Sequence, residues 1–220
     1  MKNLFTMLFV ILTITSFAQR KIKVHEENEK IGSGTNNALV ATIYESNKDN
    51  IEKAWKKLMK DYGAKVNMKK EIFADDATIK DLSSNTCDLF AFVRKVSDDE
   101  FEIVVGVDMG GAYLSSSEHS SKYKTMEKIL KDFAVQTSVD AIKEKHKAAQ
   151  KVLDALTKEK DDLTKEKERA EKQIEDYKSK IANAEKNIET NKTSQADKEK
   201  EIENQKKVVE EIEAREKAVE

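Results

Sequence analysis

Along the chain, the period of the apolar positions changes twice. From Asn37 to Glu45 the residues Ala38, Leu39, Val40, Ala41, Thr42 and Ile43 form a continuous, β-branched-rich run, the pattern of a buried strand. The period then turns helical. Ile51, Trp55, Leu58 and Tyr62 recur every three or four residues, Ser46 precedes Asp49 by three as a candidate cap, and Gly63 stands where a helix favours a left-handed terminator. Three more strands are expected, one within 64–79, one over 86–96 and one over 100–108, the last two joined as a hairpin by Ser97-Asp98-Asp99. Gly110-Gly111 reads as a bend and Ser115 to Glu118 as a cap. Helical spacing then returns at Tyr123, Met126, Ile129 or Leu130, and Phe133. The order is βαβββα, an α+β head of antiparallel-rich sheet and two helices over 37–138.

Beyond the head a second regime begins. Stepping from Val139 by three and four residues alternately gives a series of 24 positions, of which 16 are apolar, and the phase never slips. Its strongest members are Leu153, Leu156, Leu163, Ile174, Tyr177, Ile181, Ile188, Ile202, Val209 and Ile212. A heptad seam flanked by Lys and Glu is the pattern of a coiled coil over 139–220, a helix roughly 117 Å long from Lys143 on at 1.5 Å per residue. Asn191, Gln195 and Lys198 interrupt the apolar seam: the helix either runs straight through them or turns back into an antiparallel hairpin. The unbroken phase and the lack of Gly and Pro favour the straight helix.

Within the hairpin the alternation assigns faces. Phe101, Ile103, Val105 and Val107 point to the core, and so do Cys87, Leu89, Ala91 and Val93 on the partner strand. Phe90 and Phe92 then fall on the outer face, with Val104 beside them. Two aromatics on a face that should be wet are a patch for a partner or ligand, or are covered by a loop, the N-terminal segment or Tyr44, or mark a strand register other than the one read here. Phe90, Phe92 and Val104 are therefore the candidate partner-binding patch.

Composition narrows the field. The 220 residues carry 40 Lys+Arg and 42 Asp+Glu, a formal charge of −2, so no basic field exists to gather nucleic acid or an anionic membrane surface. The charge is concentrated in the coil, which is over half charged from Lys143 on yet near neutral, and all six glycines lie before position 112.

Residues 1–18, with Lys2, an apolar run from Leu4 to Phe17 and the ending Ser16-Phe17-Ala18, read as a cleaved secretory signal peptide, with 19–36 as a linker. The run is about 14 residues against the roughly 20 of a spanning helix, so a retained anchor is the lesser reading. No later segment could span a bilayer. A periplasmic or secreted protein is expected. The leader's Phe-Ala-Gln ending and the head-plus-coil layout resemble uncharacterised secreted or periplasmic coiled-coil proteins of Bacteroidota, a likeness that brings no functional residues with it. Cys87, the one cysteine, permits no disulfide framework in that compartment and reads as a small core residue.

No catalytic constellation emerges. Gly32-Ser33-Gly34 precedes a strand, so it is no phosphate loop. The five serines around His119 lack a nucleophile elbow, and His25, His119 and His146 lack metal-ligand spacing. Asp75 and Asp76 fall short of the 6 to 8 oxygens calcium takes. The expectation is a non-enzyme without cofactor or metal: an exported structural or protein-interaction module that self-associates through its coil and carries a head for an unknown protein partner. The alternative is a holdase-type periplasmic chaperone, since the layout is similar in outline to exported chaperones with an oligomerising head and helical arms.

Overall fold

The computed structural model describes residues 21–218 of the chain. The expected signal peptide, 1–18, and seam residue Val219 lie outside the described residues. The chain divides into two compact units, Met1–Ala149 and Gln150–Glu220.

The first unit is α+β. Its strands are β1 (Val24–Ile31), β2 (Gly34–Tyr44), β3 (Lys65–Met68), β4 (Ile72–Ala77), β5 (Cys87–Lys95) and β6 (Glu100–Asp108). Helix α1 (Lys48–Asp61) follows β2, and α2 (Ser120–Lys217) follows β6. All strand pairs are antiparallel, in the order β1-β2-β6-β5-β4-β3. The expected βαβββα is therefore ββαββββα, for two local reasons. The segment read as a linker holds β1, whose Val-His-Glu-Glu-Asn-Glu-Lys-Ile sequence has apolar residues only at its ends; an edge strand needs few. Gly32-Ser33 is its two-residue hairpin turn, with Gly32 at φ +65°. The single strand expected within 64–79 is a short hairpin, β3–β4, which turns where the Lys69 amide donates to the Glu71 carbonyl.

α1 is capped one residue later than expected: the Asn47 side chain accepts from the Asn50 amide at 2.9 Å. It buries Ile51, Trp55 and Met59, while Leu58 and Tyr62, expected on the inner stripe, pack at its border. Gly63, at φ +83°, ends the helix as anticipated. These side chains meet the core face of the sheet, where Leu39, Ala41, Leu89, Ala91, Ile103 and Val105 are sealed from solvent. On the same core face α2 contributes Met126, Leu130, Phe133 and Ala134, and the Phe133 ring meets Trp55 edge-on at 5.0 Å. The Ser138 hydroxyl accepts from the Tyr44 amide at 3.0 Å and donates to the Ala134 carbonyl at 2.8 Å, tying the end of β2 to α2.

Within the first unit α2 also pairs Lys145 with Glu45 at 2.8 Å. The second unit is helical from Gln150 through Lys217. The helix runs through Asn191 to Lys198 without turning back. Its polar side chains there bond along the helix itself: Thr190, Thr193 and Ser194 hydroxyls donate to carbonyls four residues earlier, and Gln195 Nε2 donates to Asn191 Oδ1 at 2.7 Å.

Candidate functional site

Four places bring together residues that could do more than hold the fold. The first is the outer face of the sheet. Alternation places Phe90 and Phe92 there, as expected, together with Ala38, Val40, Val104 and Ile31, and these form a second small core. Val104 is fully buried and cannot belong to an exposed patch. Phe90 and Phe92 are half-buried. Phe90 stacks on Phe73 at 4.8 Å and lies 6.4 Å from the Tyr113 ring. Tyr113 lies against Gly106 and reaches Gly32, where a Cβ would collide with its hydroxyl.

Ion pairs cross this face from β5 to β1. Arg94 of β5 donates through Nε to Glu102 at 2.7 Å and through Nη1 and Nη2 to Glu29 at 2.5 Å and Glu27 at 3.1 Å, both on β1. In a flat sheet β5 and β1 would stand three spacings, about 14 Å, apart. Extended Arg and Glu side chains meeting tip to tip span that gap, so these ion pairs run across the outer face beside the aromatics. Burial works against the Arg94 charge, but the bonds to Glu102, Glu27 and Glu29 win and hold it firmly protonated. Glu27 is held below the usual carboxylate range by its bonds to His25 and Arg94. Ile31 of β1 and Tyr113 of the segment after β6 pack in this cluster beside the phenylalanines.

The second place is a groove of about 620 Å³ between α1 and α2. Ala54, Leu58, Phe133 and Ala141 give it an apolar floor, and its rim bears Glu45, Asp61, Asp140 and Glu144 against Lys57 and Lys145. The Ser46 hydroxyl at one end is buried without a hydrogen-bond partner among the described residues. Sequence reasoning missed this groove, because it arises from how two helices distant in the chain splay over one sheet.

The third is a carboxylate cluster. Asp75, Asp76 and Asp88 bring oxygens within 4.8 Å of one another beside the irregularity between Ala74 and Ala77. Asp88 accepts from the Asp76 amide at 3.0 Å, and Asp76 accepts from the Thr86 hydroxyl at 3.1 Å. Those bonds pin a bulge in which Asp76 adopts φ +58°. The serine-rich segment also serves structure. Ser115 Oγ accepts from the Glu118 amide at 3.2 Å, and Ser116 bonds Glu26 through both its amide and its hydroxyl. His119 Nδ1 is buried without a hydrogen-bond partner among the described residues, so it orients none of these hydroxyls as a base would.

The fourth is the seam. Leu153, Leu156, Leu163, Ile174, Tyr177, Ile181, Ile188, Ile202, Val209 and Ile212 are 46–61% exposed in the second unit. Val135, Val139 and Ile142 are exposed on α2 within the first unit. His146, which shares the heptad phase, is also exposed. Among the described residues no helix is long and apolar enough to cross a membrane. No family model, curated protein or solved structure matches the chain.

Proposed function

We propose that this is an exported structural or protein-interaction protein, in which α2 joins chains through its heptad seam and the α+β head presents a surface to a protein partner. One observation carries this reading: ten large apolar side chains, in one unbroken heptad phase, stand about half exposed on a helix that has no other use for them. An isolated charged helix gains its stability from Glu and Lys pairs such as Lys167–Glu171 and Lys207–Glu203, each worth about 0.2–0.5 kcal/mol, and does not need isoleucines. Burying such a side chain against another helix contributes about 1.5–3 kcal/mol.

Export rests on the leader pattern of residues 1–18, and the likeness to secreted Bacteroidota coiled-coil proteins belongs to the same proposal. For the head, the α1–α2 groove supports partner binding better than Phe90 and Phe92, which the fold itself uses.

The test is Ile181→Lys. A lysine at the centre of the apolar stretch from Ile174 to Ile188 should lower the association constant at least tenfold and melt part of the helix, read by sedimentation and by circular dichroism at 222 nm. Unchanged mass and helicity would overturn the reading.

A further inference from the structure

We infer that α2 pairs with α2 of a second copy of this chain in parallel and in register, so that each seam residue meets its own counterpart. This rests on the self-association proposed above and adds its direction.

The first unit keeps the two uses of the helix apart. Met126, Leu130, Phe133, Ala134, Thr137 and Ser138 are buried in the head, whereas Val135, Val139 and Ile142 are exposed. At 3.6 residues per turn the two sets centre roughly 150° apart. A helix laid on the Val135 side therefore does not compete with the head for the same face.

The layers choose the direction. With Val139 at heptad position a, the polar seam residues are His146, Lys160, Lys167, Gln195 and Glu216 at a, and Asn191, Lys198 and Gln205 at d. Antiparallel helices pair a with d. Opposing Gln195 to Asn191 in that way sets Lys198 on Ile188 and Gln205 on Ile181, and centring the overlap near Lys178 and Ser179 sets Gln195 on Leu163 and Gln205 on Leu153. Parallel pairing in register sets every polar layer on itself and leaves every apolar layer apolar.

The charges agree. In a parallel pair the hole that receives an a residue is walled by the partner's preceding g residue, and the hole for d by its following e residue. Lys160 and Lys167 follow Glu159 and Glu166 at g, and Lys198 precedes Glu199 at e, so each seam lysine meets a carboxylate of the second copy. Lys180 with Glu185 and Glu201 with Lys206 make further g-to-e attractions; Glu166 with Glu171 is a like-charged pair, beside Lys167. The area is sufficient. Ten half-exposed side chains that each lose on the order of 80 Å² reach the roughly 800 Å² per partner of a stable interface.

Homotypic cross-linking tests the direction. Ala149→Cys and Ala184→Cys, both at d, are made singly in the exported chain and oxidised with copper phenanthroline. Ser179→Cys, on the outer face of the helix, is the control, and the native chain with its buried Cys87 is the blank. Both d variants should form a covalent dimer at least tenfold faster than the control. Spin labels at Lys151 should show an inter-chain distance of about 20–40 Å, the width of the helix pair plus two linkers. A light-scattering mass of two or more chains with neither homotypic cross-link nor short distance would overturn the direction and leave self-association standing. A monomer mass at every concentration would overturn both.

Discussion

Cys87 lies on the core face of β5, with its Sγ donating to the Ala77 carbonyl at 3.7 Å. Burial, helped by the neighbouring Asp88, pushes its thiol up to about 11 from 9.0. A group raised in this way contributes stability below its unfolded value and loses it as pH rises through the folded one, so this contribution holds at neutral pH and fails near pH 11. Alkylation by a maleimide at pH 8 should be at least a hundredfold slower in the native chain than in urea, and equal rates would place the thiol outside the core. At Phe90 the stacking on Phe73 makes Phe90→Ser destabilising by about 2–3 kcal/mol in urea unfolding, because the aromatic is lost and a hydroxyl enters an apolar cluster. At this scale much was legible in the sequence. The alternation of Phe101, Ile103, Val105 and Val107, and of Cys87 through Val93, assigned the core face correctly because these odd positions all join the main core. The fate of Val104 was not legible, since it depends on Ile31 and Tyr113 packing over this face, which alternation does not encode.

Among the elements, β1 is the most dependent on charge. It is a polar edge strand paired with β2 alone and fastened by Glu27 and Glu29 to Arg94. Glu27 titrates below 4.5, held down by His25 and Arg94, so its contribution is present above that value and is lost as pH falls through its folded value. Amide exchange in Val24–Ile31 should accelerate below the carboxylate range while β5 and β6 stay protected; uniform protection would contradict the role given to Arg94. Arg94→Ala should cost about 1 kcal/mol after solvent screening and show the same local loosening at neutral pH. Ser138→Ala removes the hydroxyl that accepts from the Tyr44 amide at the β2–α2 junction and should cost about 1 kcal/mol in thermal unfolding. The sequence concealed β1 because its register is set by Gly32-Ser33 and by distant Arg94, not by an apolar face. It revealed α1 through Ile51 and Trp55, where a stripe and a glycine terminator coincide.

For the whole molecule, the chain divides into two compact units, and the long helix passes through the polar seam segment that left its course open. The head was legible as α+β because a packed sheet and two amphipathic helices imprint their periods on the chain. Its groove was not, because no local period records where α1 and α2 diverge. The central claim is that the exposed seam from Leu153 to Ile212 is an association surface. Light scattering coupled to size exclusion, on the chain from Gln19 onward across a hundredfold range of concentration, tests it most directly. The account predicts a mass of two or more chains that falls toward one only on dilution, whereas a single-chain mass throughout the range would contradict it.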